Sequence, residues 1–125
     1  MTKKKKKLKP SKTIKLNTLG KGETDIRLLM KRRWLQILVH SCIYYRHHTS
    51  LINDHQWDDW SKELIKLVRK YPKIAMSMPE SNYLLEFDGS TGFDLPLTLP
   101  WINNKAMQLI SYERRKRSVV KLHFK

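Results

Sequence analysis

Acid is missing from both ends of this 125-residue chain. Residues 1–22 hold nine lysines, Lys3, Lys4, Lys5, Lys6, Lys7, Lys9, Lys12, Lys15 and Lys21, and no Asp or Glu. From Arg114 to the last residue there are six more cations, Arg114, Arg115, Lys116, Arg117, Lys121 and Lys125, again without an acid. Residues 23–113 balance eleven basic against eleven acidic side chains, so the formal charge of +15 belongs to the two ends. Like-charged ends repel each other unless a polyanion screens them. The commonest polyanion inside a cell is a phosphate backbone, and each cation that neutralises a phosphate releases condensed counterions. The plainer alternative is that the charges only aid solubility.

Disulfide chemistry is excluded just as directly. A single cysteine, Cys42, has no internal partner, which points to a reducing compartment and to a small core residue. No run of about 18 apolar residues is present, and the lysine-rich start lacks the apolar stretch of a secretory signal. The expected setting is therefore the cytoplasm, with no membrane partner. At this length there is room for one domain with a modest core, but not for a second domain and an ordinary catalytic cleft. A hydrophobic content of 40% with 10% aromatics is enough to fold that core despite 30% charged residues.

The positive pattern is helical. Residues 1–22, with Pro10, Gly20, Gly22 and few apolar positions, predict a flexible, disordered basic tail. Over 25–47, Met30, Trp34, Ile37, Leu38, Ser41 and Tyr45 recur at spacings of three and four, which predicts one long helix capped by Thr24. After a short break, Asn53 and Gln56 have the spacing of a capping box. Trp57, Trp60, Leu64 and Leu67 then give a second helix its apolar stripe, and Pro72 stops it. A short loop between two amphipathic helices predicts an antiparallel hairpin. Residues 72–100 hold four of the five prolines and the remaining two glycines. They predict an irregular segment with a short helix near Ile74–Met78 or Ser81–Leu85 and a sharp turn at 88–92. A third helix is expected over 101–112, from Ile102, Ala106, Leu109 and Ile110, after Pro100. The alternation of Val120, Leu122 and Phe124 predicts a short C-terminal strand or extended arm. The fold class is thus mainly α, with a tail over 1–22, a helical domain over 23–113 and a basic arm over 114–125.

The residues at the hairpin turn carry a resemblance. Tyr44-Tyr45 is followed after eight residues by Asp54-His55-Gln56-Trp57-Asp58, and the string continues through Glu63-Leu64 to Tyr71-Pro72. Taken singly, such tyrosines plug a core and such acids complement a helix dipole. Together, over roughly residues 25–72, they resemble the N-terminal Ia domain of NAD-dependent bacterial DNA ligases, where a Tyr pair and an Asp-x-x-Tyr-Asp motif grip the nicotinamide mononucleotide (NMN) half of NAD. The resemblance implies that Tyr44 and Tyr45 stack on nicotinamide while Asp54 and Asp58 contact the ribose and nearby polar groups. Trp57 stands where the family has tyrosine, so a hydroxyl is missing. The whole chain resembles short ligase-related proteins of phages and prophages of Gram-positive bacteria, which share the Phe-Asp-Gly-Ser-Thr-Gly-Phe segment found here from Phe87 to Phe93.

The catalytic half of a ligase is missing. A ligase adenylates the lysine of a Lys-x-Asp-Gly motif, and the only similar string here, Glu86-Phe87-Asp88-Gly89, begins with a carboxylate that cannot form a phosphoramidate. The expectation is a non-enzyme that requires no cofactor. Lys3, Lys4, Lys5, Lys6, Lys7, Lys9, Arg114, Arg115, Lys116 and Arg117 would bind nucleic acid, DNA before RNA. The alternative is a module that binds NAD or NMN through Tyr44, Tyr45, Asp54, Trp57 and Asp58, as an accessory to a ligase in trans or to sequester the nucleotide. A ligase or other host protein is a further candidate partner, in the host bacterial cytoplasm if the chain is phage-encoded. His47, Asp54 and His55 do not have the spacing of a metal site, and Ser90 and Thr91 lack a Walker spacing and predict a structural turn.

Overall fold

A computed structural model describes residues 19–123, which form five helices and no strand. They are α1 (Leu19–Arg46), α2 (Asp54–Lys70), α3 (Pro72–Met76), α4 (Ser81–Glu86) and α5 (Pro100–His123). The mainly α reading holds, and the hairpin of α1 and α2 is antiparallel, with Ser41 beside Trp57 near the turn and Arg33 beside Glu63 further along. No described helix is long and apolar enough to cross a membrane.

Helix α1 lies at the centre. Met30, Trp34, Ile37, Leu38, Cys42 and Ile43 are fully buried because α2 covers one side and α5 another. This is why its apolar positions are not confined to one narrow stripe. Trp34 meets its polar need by donating Nε1–H to the carbonyl of Pro79 at 2.8 Å. Cys42 is a free core thiol facing the carbonyl of Leu97, and burial pushes its pKa up against a smaller opposing effect of Arg46. Leu64 from α2 and Ile102, Ala106 and Ile110 from α5 complete the layer, with Ile74, Ala75 and Leu84 closing it from the short helices.

The boundaries differ from the sequence pattern at two places. Helix α1 begins at Leu19, so residues 19–22 are not tail, and Thr24 lies inside the helix instead of capping it. Each glycine costs a helix about 1 kcal/mol relative to alanine. Here Gly22 is buried and Ile26 is 5% exposed, beside the α2–α3 junction at Tyr71 and Ile74. Packing there outweighs the glycine cost. The second correction is that α5 continues to His123, so 114–123 is helix, and Val120 and Leu122 are not in a strand. Residues 113–123 contain no proline or glycine and are rich in Arg and Lys, which propagate a helix well. A lone strand would also have had no neighbouring edge to pair with among the described residues. Phe124, the remaining position of that pattern, and the tail lysines Lys3 to Lys9 lie outside the described residues.

The α2 boundary was legible to the residue. Asn53 is in an extended conformation and its Oδ1 accepts from the Gln56 N–H at 2.8 Å. Pro72 ends the helix and opens α3, and both short helices form, α3 over Pro72–Met76 and α4 over Ser81–Glu86. Replacing the cap by Asn53→Ala should lower stability by about 0.5–2 kcal/mol. Urea unfolding followed by far-UV circular dichroism checks this, with m unchanged and the midpoint lowered.

Candidate functional site

The hairpin turn and the 88–93 segment together enclose a cavity of about 310 Å³. Its α1 wall is His40, Ser41, Tyr44 and Tyr45, its α2 wall is Asp54, Trp57 and Asp58, and Ser90, Thr91 and Gly92 form the third side. All five residues that the ligase resemblance singles out therefore line one site. The DGSTGF segment, distant in sequence, closes it.

Local structure explains the convergence. Tyr44 and Tyr45 occupy the last turn of α1, and their rings meet edge to face at 4.9 Å. Tyr44 is 57% exposed, whereas Tyr45 is held by its hydroxyl at 2.9 Å from Thr91 Oγ1 and by an edge contact with the Phe93 ring at 5.5 Å. Helix α1 ends where His48 takes a left-handed backbone (φ 56), and Thr49 donates its N–H back to Ile43. Asn53 then starts α2 so that Asp54 and Asp58, four residues apart, rise on the same helical face.

Trp57 is anchored, not free. Its indole Nε1–H donates to Ser41 Oγ at 3.2 Å, and its ring meets Phe87 at 5.9 Å, nearly perpendicular. The indole is thus turned toward α1. The turn opposite satisfies itself: Asp88 accepts from the Ser90 N–H at 2.9 Å and from its hydroxyl at 2.7 Å, and Thr91 Oγ1 accepts from the Phe93 N–H. These hydrogen bonds hold the exposed Asp88 carboxyl below the usual carboxylate range. Ser90 and Thr91 therefore form a structural turn, in keeping with their sequence spacing.

Ser41, His40 and Gly92 were not singled out as site residues by the motif. Ser41, which helical periodicity places on the apolar stripe, pins Trp57 and abuts Gly92. A Cβ on Gly92 would stand 2.7 Å from Ser41 Cβ and nearer still to its Oγ, with Trp57 Cζ2 at 3.4 Å. The spacing of Gly92 within a turn carried the only advance sign of such a close approach. His40 packs its ring on Trp60 at 5.4 Å, and its Nδ1 is buried without a hydrogen-bond partner. Desolvation lowers its pKa, so it is held neutral.

Two carboxylates, two phenol rings and several hydroxyls suit a flat, electron-poor ring carrying hydroxyl donors. Asp54 and Asp58 repel each other in the absence of a donor and disfavour an anionic group placed directly beside them, so the phosphate of a nucleotide ligand would have to lie at the open mouth of the cavity, away from that pair. A pyridinium-type ring is favoured by both the tyrosine faces and the acids. The remaining assigned residues lie elsewhere: Arg114, Arg115, Lys116 and Arg117 are exposed on the second half of α5, away from the cavity. His47 Nε2 is engaged with Asn103 Oδ1 at 2.8 Å, and no three His, Cys, Asp or Glu side chains cluster as metal ligands among the described residues.

Comparison with known proteins returns no matching family model, no matching curated protein and no matching solved structure.

Gly92→Ala should destabilise the fold by about 1–3 kcal/mol through overpacking, because Ser41 Cβ is fixed by its helix. A lowered denaturation midpoint, together with a shift in tryptophan emission from Trp57, is the expected reading. His40 gives a pH dependence of definite sign. Its folded pKa lies below the unfolded value of 6.5, so below that value the unfolded state binds more protons. Stability should therefore decline as pH falls from 6.5 toward the lowered folded pKa. A His40→Phe variant should flatten that part of the curve in urea titrations at stepped pH.

Proposed function

We propose that this chain is a non-catalytic, DNA-ligase-related phage or prophage protein whose hairpin pocket binds a nucleotide of the NMN type, free or as half of NAD. The observation that carries the reading is the convergence of Tyr44, Tyr45, Asp54, Trp57 and Asp58 on one cavity of about 310 Å³. That volume is at the lower end of the small-ligand range of about 300–1,000 Å³. Exposed Tyr44 offers a ring face, and Asp54 and Asp58 accept from ribose hydroxyls. No lysine lines the pocket, so a bound NAD would meet no amine there to take its AMP group and release NMN. Such a module either completes a ligase in trans or sequesters the nucleotide.

Isothermal calorimetry with NMN tests this. Wild type should give a saturable heat, and Asp58→Ala should weaken it at least about tenfold, the loss of one charge-assisted hydrogen bond. Asp58 is exposed at the start of α2, so circular dichroism should be unchanged. No heat at millimolar NMN would remove the pocket reading.

A second reading, nucleic-acid binding through the basic ends, is favoured by the segregation of charge along the sequence. DNA binding should then show little sequence preference and fall steeply with salt. A mobility-shift series in rising salt checks it. The contribution of the tail is best probed by Lys→Gln changes at Lys3 to Lys7, since a deletion to residue 22 would remove the first turn of α1.

A further inference from the structure

The charges of residues 23–113 are balanced in number but separated in space. Helix α1 is antiparallel to α2, as Ser41 with Trp57 and Arg33 with Glu63 establish. It is also antiparallel to α5, whose Asn103 meets His47 and whose Tyr112 lies by Leu35 and Gln36. The start of α1 and the ends of α2 and α5 therefore share one end of the bundle. The half of the bundle away from the α1–α2 turn carries exposed cations on all three helices, Lys31 and Arg32 midway along α1, Lys62, Lys66, Arg69 and Lys70 on the second half of α2, and Arg114, Arg115 and Arg117 on α5, with the exposed Glu23 and Asp25 at the start of α1 beside them. The α2 cations form a stripe opposite the buried Leu64. The ion pairs among the described residues are Arg27–Glu23, Arg33–Glu63 and Lys116–Glu113, so none of those nine cations is paired there. Acids are outnumbered in that half, where Glu23, Asp25, Glu63 and Glu113 lie, whereas the other end has Asp54 and Asp58 in the pocket wall, Asp59 beside them in the first half of α2, and Asp88 and Asp94 around the adjoining turn. From Asp58 to Lys70 the axis of α2 rises about 18 Å.

We infer that this cationic half of the folded helices is itself a docking surface for the phosphate backbones of a nucleic-acid duplex. The inference rests on the nucleic-acid reading above and deepens it: the interface is built on helices and does not consist of the chain ends alone. Charge complementarity names the partner's chemistry. The double-stranded form follows from what accompanies the cations. Single strands are held by bases stacked on aromatic faces, but the exposed Tyr44, Tyr83 and Phe93 stand at the pocket end. Tyr112 alone among the exposed aromatic rings lies near the cations, with Lys116 Nζ 5.5 Å from its ring centroid. The acidic end repels the same polymer, which leaves the pocket facing away from it and open to a small ligand.

The test uses the full chain, a fluorescent mixed-sequence DNA duplex and anisotropy titrations over a range of salt. One variant carries Lys62→Gln, Lys66→Gln, Arg69→Gln and Lys70→Gln, and a second carries Arg114→Gln, Arg115→Gln and Arg117→Gln. Each should bind at least about tenfold more weakly at low salt and reduce the slope of log K against log salt by about 2–3. If the α2 variant loses helical signal, the α5 variant decides. Wild-type binding that survives in both helix variants but vanishes with Lys→Gln at Lys3 to Lys7 would overturn the inference and leave the tail reading standing. No binding by wild type would overturn both. Equal affinity for a single strand, or for phosphatidylserine vesicles with the same loss in the helix variants, would overturn the assignment to a duplex.

Discussion

The antiparallel packing of α1 against both α2 and α5 sets everything else in this fold. A helix covered on two sides buries residues around much of its circumference, and Trp34, Met30, Ile37, Leu38 and Ile43 are accordingly sealed. Full burial of a side chain of this size contributes about 1.5–3 kcal/mol relative to exposure, and α1 gives the described core more buried side chains than any other helix. Because both neighbours run against it, one end of the bundle collects the α1–α2 turn and the start of α5. The opposite end collects the first turn of α1 and the last turns of its partners. A parallel partner would have mixed the two.

At the turn end, the 88–93 segment matters through a contact no motif describes. Ser41, buried on α1, accepts from Trp57 and leaves no room for a side chain on Gly92. One hydroxyl thereby joins α1, α2 and the turn. Gly89 adds a conformational reason of its own, since its φ of 83° lies in the left-handed region, and a Cβ there would also stand 2.9 Å from Ile65 Cδ1. The two glycines in the Asp-Gly-Ser-Thr-Gly string thus do different jobs: one bends the backbone and the other admits it to the helix pair.

How much of this could be read in advance depended on whether the cause was local. The α2 start was legible because Asn53 and Gln56 make a short-range hydrogen bond whose spacing is fixed. The core faces of α1, α2 and α5 were legible because periodicity records burial. The beginning of α1 was not, since glycine propensity argued for a later start while packing against the α2–α3 junction decided it. The C-terminal strand was misread for a related reason: a three-residue alternation is compatible with either period, and the adjoining Arg-Lys run favours helix. In the site, the motif identified five lining residues, but Ser41, His40 and Gly92 entered only through contacts across long sequence separations.

The same distinction explains why counting charge along the sequence understated its organisation. Over residues 23–113 the count cancels, and a sequence tally describes a neutral body between two cationic ends. Folding breaks that neutrality without changing the sum, because α2 begins with Asp54, Asp58 and Asp59 and finishes with Arg69 and Lys70. This order also opposes the helix dipole favourably at both termini, so it is stabilising for the helix alone. Antiparallel packing then carries a local preference into a global one, setting most exposed cations of the three helices in the half of the bundle away from the carboxylates of the pocket. Along α2 the acidic start and the cationic finish lie about 18 Å apart, more than twice the length of about 8 Å over which charges are screened at physiological salt, so the two fields stay distinct.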